Sequence, residues 1–185
     1  MINSKLLEKC YAEKKICIVF SNDEDPEKCI IGYVGYYNAA EVLIYITTVR
    51  GVYNGYVVIK MADIFKIRCD GPYENAAEIL YQSRSRKHEN VPICNNDVTA
   101  SLLDLAKREK YIAYIVLDDE RVQGYVRAFD GEKLILENVT DYGEDDGTCE
   151  LPIETIKLFY VDTEDEQDIC LLKKARTCKS APDSD

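Results

Sequence analysis

The 185-residue chain reads as a mainly β protein with flanking helices, built from two small five-stranded barrels in tandem, each preceded by a helix. Three observations predict this: an internal repeat, short strand-forming runs punctuated by turn residues, and helical patterns at the start and end of each repeat. With 46% hydrophobic residues the chain can bury a core. No apolar run approaches the roughly 20 residues that a bilayer-spanning helix requires, so no membrane span is expected.

The repeat comes first because it fixes the fold hypothesis. Leu6-Leu7, Cys10 and Ile16 recur as Leu102-Leu103, Ala106 and Ile112, at an offset of 96. Gly32-Tyr33-Val34, Ile64, Asp70 and Leu80 recur as Gly124-Tyr125-Val126, Ile156, Asp162 and Leu172, at an offset of 92. One four-residue insertion reconciles the two offsets. It falls in Ser21 to Lys28, an acidic, Pro-containing stretch longer than its counterpart Leu117 to Arg121, and length variation belongs in a surface turn. The copies are expected to occupy 1–90 and 91–185.

Each element has a local reason. Leu6, Leu7, Cys10 and Tyr11 fall at helical spacing, and so do Leu102, Leu103, Leu105 and Ala106 behind the candidate N-cap Asp97. The first copy then offers the strands ICIVF (16–20), CIIGYVGYY (29–37), EVLIYITT (41–48), VYNGYVVIK (52–60) and DIFKIRC (63–69). The second offers YIAYIVL (111–117), RVQGYVRAF (121–129), KLILENV (133–139), TCELP (148–152) and TIKLFYV (155–161). Asn54-Gly55, Asp130-Gly131 and Asp146-Gly147 suit turns, the first also a bulge within a strand. Helical patterns close the copies over 73–84 and 164–176, the second behind a capping box of Thr163 and Glu166. Five short bent strands are too few for a sandwich and enough for a small barrel.

Charge and cysteines narrow the function. The net charge of −11 is uneven: residues 1–90 carry 12 basic and 12 acidic side chains, so the whole deficit lies in the remainder. An acidic surface repels phosphate, so any nucleic-acid contact is expected to use the first half or a local patch. None of the eight cysteines sits in a C-x-x-C pair and His88 is the only histidine, which makes zinc a poor reading. Met1 to Cys10 lacks the apolar segment of a secretory signal, and cysteines such as Cys17 and Cys170 fall at apolar positions, so reduced thiols acting as small hydrophobes in the cytoplasm are expected, with disulfides the alternative.

The helix-then-five-strands order, together with GYVRAFD (Gly124 to Asp130) and GYVGYYN (Gly32 to Asn38), resembles the first motif of the Sm and Lsm family, Gly-x-Val-x-Gly-Phe/Tyr-Asp. The second motif, Ile-Arg-Gly-x-Asn-Ile, has a weak counterpart in IKMADI (Ile59 to Ile64) and a poorer one in LPIETI (Leu151 to Ile156). The resemblance covers most of the chain twice and implies an Sm-like barrel in each copy. Any small curved barrel also needs a glycine at a strand bend, so a generic SH3-like barrel and a different mixed fold stand as alternatives.

In the family a loop Asn and an Arg-Gly pair form a pocket for single-stranded, usually uridine-rich RNA. This chain has Val42 and Leu134 at the Asn positions, and Lys60-Met61 and Pro152-Ile153 at the Arg-Gly positions. The second copy has lost the polar groups, whereas the first keeps Lys60, Asn38 and the nearby ring of Tyr37. Single-strand recognition needs a ring face and a cation, so Tyr37, Asn38 and Lys60 are the candidate RNA contacts, joined by Arg84, Arg86 and Lys87 of the basic run RSRKH. Basic residues also suit a helix C-terminus for electrostatic reasons alone.

Other candidates have plainer explanations. Tyr33, Tyr36, Tyr37, Tyr45, Tyr53 and Tyr56 suit a packed barrel face better than a stacking platform. The acidic stretch DYGEDDG (Asp141 to Gly147) lacks EF-hand spacing and reads as a strand-connecting turn. A Cys94–His88 couple has no defined orienting carboxylate. The expected protein is a non-catalytic Sm-like binding or scaffold protein without metal or cofactor, acting through a protein partner or self-association and not through DNA or membrane. RNA binding by the first barrel is the alternative, and a cysteine-dependent enzyme a distant third.

Overall fold

The structure, a computed structural model, describes residues 4–21, 28–118 and 120–179. The expected insertion lies largely outside them. The first elements are α1 (Ser4–Glu13), β1 (Ile16–Phe20), β2 (Ile30–Tyr37), β3 (Glu41–Thr47), β4 (Tyr53–Lys60), β5 (Lys66–Cys69) and α2 (Pro72–Ser83). Then follow α3 (Val98–Glu109), β6 (Ile112–Val116), β7 (Arg121–Phe129), β8 (Lys133–Val139), β9 (Asp145–Pro152), β10 (Leu158–Val161) and α4 (Glu164–Lys179). A 3-10 turn precedes the fifth strand of each copy, at Met61–Asp63 and Ile153–Thr155.

The chain divides into two compact units, Met1–Leu102 and Leu103–Asp185. The boundary falls within α3, so residues 91–102 belong to the first unit. There the Val91 N–H donates to Tyr45 Oη at 3.0 Å, and the Thr99 backbone N–H and hydroxyl donate to the Glu41 carboxylate.

The two units repeat one another in detail. Their strands run in the same antiparallel order, β5-β1-β2-β3-β4 and β10-β6-β7-β8-β9. Gly32 lies opposite Cys17 and Ile46, and Gly124 opposite Ala113 and Asn138. Register shifts at Val34/Tyr36 and Tyr45/Thr47 recur at Val126/Ala128 and Glu137/Val139. A Cβ on Gly32 would stand 2.1 Å from the Tyr45 carbonyl oxygen, and one on Gly124 2.3 Å from that of Glu137. Both glycines are there because the neighbouring strand's backbone lies too close for any side chain.

Neither sheet closes. The fifth strand of each unit pairs with the first, while the fourth and fifth strands of one unit do not pair with each other. The fifth strand has only four residues, and the 3-10 turn diverts the chain before it. Mainly β with flanking helices therefore holds, and the expected barrels appear as open sheets. The Asp146-Gly147 pair also differs from expectation: it sits inside β9, and the turn before it spans Thr140 to Glu144, with Gly143 at φ 76°.

Packing follows the apolar runs. The five residues of β1 are all buried, because α2 covers one face and α1 packs on β2 and β5. On the α2 side Ile16, Ile18 and Phe20 meet Ile31, Ala77 and Tyr81. In the second unit Ile112, Val139 and Ile169 form the equivalent contact, with Tyr125 and Cys170 against it.

Candidate binding site

The tyrosines of the first unit meet the chain's own linker. Tyr45 Oη accepts the Val91 N–H and donates to Asn90 Oδ1 at 3.3 Å. Tyr56 Oη accepts the Glu89 N–H at 3.1 Å and donates to the Glu89 carbonyl. Tyr36 Oη donates to Asn96 Oδ1 at 2.9 Å. His88 stands at the centre, 4.5 Å from the Tyr53 ring centroid and stacked on Tyr45 with an interplanar angle of 14°.

Both imidazole nitrogens of His88 are engaged. Because the Gly55 carbonyl can only accept, Nε2 carries the proton and donates to it at 2.9 Å, leaving Nδ1 to accept from Tyr81 Oη at 2.7 Å. Burial lowers the pKa of this ring to about 4, with the Gly55 hydrogen bond opposing the shift. The imidazole is therefore neutral near pH 7. It leaves no ring nitrogen to act on Cys94, whose own backbone N–H donates to Ser101 Oγ.

The six candidate RNA contacts fall at opposite ends of β3. Tyr37, Asn38 and Lys60 lie at its start: Lys60 is the strand partner of Glu41, and the Tyr37 ring meets Tyr11 edge-on at 5.4 Å. Asn38 Oδ1 accepts the N–H groups of Ala40 and Glu41, and its Nδ2 donates to the Asn96 carbonyl at 2.8 Å. Arg84, Arg86 and Lys87 lie near the β3–β4 turn. Arg84 donates to the Arg50 carbonyl, Arg86 sits 3.9 Å from the centroid of Tyr53, and Lys87 lies over Tyr81 while donating to its carbonyl. Val42 and Leu134, where the family has Asn, are fully buried.

In the second unit Asp141, Asp146, Glu120, Gln123, Asn138 and Tyr142 are among the residues lining an open groove of about 760 Å³. Gln123 Nε2 donates to Asp141 Oδ1 at 2.7 Å. Among the described residues no three His, Cys, Asp or Glu side chains are grouped to hold a metal ion.

The outer strands β5 and β9 differ in charge. Among the described strands β5 pairs with β1 alone and β9 with β8 alone. β5 exposes Lys66 and Arg68, whereas β9 exposes Asp145, Asp146 and Glu150. Alternating hydrophobicity identifies such strands in the sequence, but their place at a sheet edge is set by long-range pairing. Compared with protein-family models, curated proteins and solved structures, the chain matches none.

Proposed function

We propose that the chain is a tandem pair of degenerate Sm-like units that acts without catalysis, as a scaffold joined to other polypeptides by strand addition. The observation that carries this reading is the pair of edge strands of opposite charge. An edge offers a row of backbone N–H and C=O groups to an incoming strand, and side-chain charge selects which strand arrives. The acidic β9 of one molecule suits the basic β5 of another, so a second copy of this chain is the partner that the charges favour. That contact is head-to-tail, and such contacts build rings or filaments.

The first unit's polar groups support a protein partner over RNA. The Asn38 amide is occupied within the fold on both its oxygen and its nitrogen. Arg86 and Lys87 already lie over tyrosine rings, and the tyrosine hydroxyls bind linker backbone.

Light scattering coupled to gel filtration tests the reading. Self-association that rises with concentration and weakens about tenfold in Lys66→Glu/Arg68→Glu is expected, the size typical of charged contacts at an interface rim. A chain that stays monomeric at every concentration would remove the second copy as partner. Steeply salt-dependent oligo-uridine binding, lost in Lys60→Ala or Tyr37→Ala, would instead establish the RNA reading.

A further inference from the structure

Three thiols converge in the first unit where the second has none. Cys10 of α1 and Cys17 of β1 are buried, and Cys69 of β5 is half-buried at the sheet edge. Cys17 and Cys69 are directly opposite each other in the antiparallel ladder, and α1, which carries Cys10, packs on β5 beside them. At the repeat-equivalent positions stand Ala106, Ala113 and Val161, all buried, with Ala113 opposite Val161 in the same register. The fold therefore needs only small apolar groups at these three places.

Two cations accompany the sulfurs. Lys9 and Lys15 each hold Asp70 at 2.6 Å, and Cys69 Sγ donates to Asp70 Oδ2 at 3.3 Å. The positions equivalent to Lys9 and Lys15 are Leu105 and Tyr111, so the lysines, like the thiols, belong to the first copy alone.

We propose that Cys10, Cys17 and Cys69 form an oxidant-responsive thiol site in which a hydroperoxide joins Cys10 to Cys69 as a reversible disulfide. The Cys10 thiolate attacks one peroxide oxygen, the O–O bond breaks, and hydroxide leaves and takes up the proton that Cys10 had released. Cys69 sulfur then attacks the Cys10 sulfenic acid, and the hydroxyl departs with the Cys69 proton as water. Two thiols and one hydrogen peroxide thus become one disulfide and two waters.

Ionisation follows the same geometry. The neighbouring Cys17 thiol lowers the Cys10 pKa to about 7 against the opposing effect of burial. Cys69 is pushed up to about 12, by burial first and then by its hydrogen bond to Asp70. Of the three thiols Cys10 is the one whose pKa is lowered, which favours it as the attacking sulfur, and Cys69 keeps the proton that the leaving hydroxyl requires.

The test treats the full chain with hydrogen peroxide, traps remaining thiols by alkylation, and maps tryptic peptides without reductant. Cleavage after Lys9, Lys14, Lys15 and Arg68 separates all three cysteines. Cys10 joined to Cys69, reversible by dithiothreitol and forming at least tenfold faster than the exposed Cys29 and Cys94 oxidise, is the expected result. Cys10→Ala alone should slow oxidation of Cys69 at least tenfold. The triple variant Cys10→Ala/Cys17→Ala/Cys69→Val installs the second copy's residues and should melt like the parent while forming no bridge. Free Cys10 and Cys69 after Cys29 and Cys94 are consumed, or a bridge between Cys17 and Cys69 alone, would overturn the proposal.

Discussion

His88 ties the linker to the first unit, and its surroundings make that tie sensitive to acid. Protonating the imidazole would add a proton at Nδ1, where Tyr81 Oη now donates, inside a ring of tyrosines. The folded pKa of about 4 lies below the ordinary histidine value, so the unfolded chain binds the proton more tightly. The stability associated with a neutral His88 is fully present above about pH 6.5 and is lost as pH falls toward the folded value, on the order of 3 kcal/mol in all. Urea denaturation at several pH values should show the parent losing more stability than His88→Gln across that window. Equal slopes would mean that the ring is not buried neutral.

Glu166 makes the opposite prediction. It is buried and accepts the Thr163 N–H at 2.7 Å, closing the expected capping box, while burial raises its pKa above the ordinary carboxylate value. The folded state holds the Glu166 proton more tightly than the unfolded, so this group favours folding at low pH and loses that contribution as pH rises through the folded pKa. Glu166→Gln keeps an acceptor oxygen for Thr163 without the charge and should equal or exceed the parent in stability near pH 7. Glu166→Ala removes the acceptor and should cost about 1 kcal/mol.

Among the elements, the helices that follow the two sheets dock on a left-handed residue in the turn between third and fourth strands. Gly51, at φ 64°, would place a Cβ 2.2 Å from the Tyr81 backbone nitrogen, and Gly143, at φ 76°, one 2.6 Å from that of Lys173. Those contacts are related by the repeat offset of 92, as Tyr81 and Lys173 are. Gly51→Ala and Gly143→Ala should each destabilise by at least about 3 kcal/mol, because left-handed strain adds to a clash with rigid helix backbone. Gly147, at φ 75° with open space around it, should cost only about 1–2 kcal/mol on the same change. Thermal melts of the three variants check the ranking.

These elements also show what a linear reading can reach. ICIVF, RVQGYVRAF and KLILENV became strands over the expected residues, because apolar β-branched runs carry a local signal. Asp97 caps α3 as expected, its Oδ1 accepting the Ala100 N–H at 2.8 Å. The repeat even places the two glycines of the strand bends. The linker's position on Tyr45 and Tyr56 is different, since it depends on contacts 33 to 46 residues apart that no local pattern encodes. Tyr37 and Arg86 likewise looked like neighbours in function, yet they stand at opposite ends of one strand. The grouping of Cys10 and Cys17 with Cys69 is non-local too, and in sequence each looked like an ordinary apolar position.

For the whole molecule, the asymmetry of charge bears on the proposed assembly. The deficit lies in the second half, whose outer strand β9 is acidic, while the electroneutral first half presents Lys66 and Arg68 on β5. If these edges meet between molecules, a chain with both edges acidic should associate with itself about tenfold more weakly than the parent, and so should one with both edges basic. Lys66→Glu/Arg68→Glu makes the first kind and Asp146→Lys/Glu150→Lys the second. Each alone should sediment as a smaller species than the parent. Mixed in equal amounts, the acidic β9 of one variant faces the basic β5 of the other, and the two reversed edges also match, so growth should return to within about threefold of the parent's affinity. Recovery on mixing cannot arise from misfolding of either variant. Two variants that remain small together, while each keeps the parent's circular dichroism, would place the association surface away from the sheet edges.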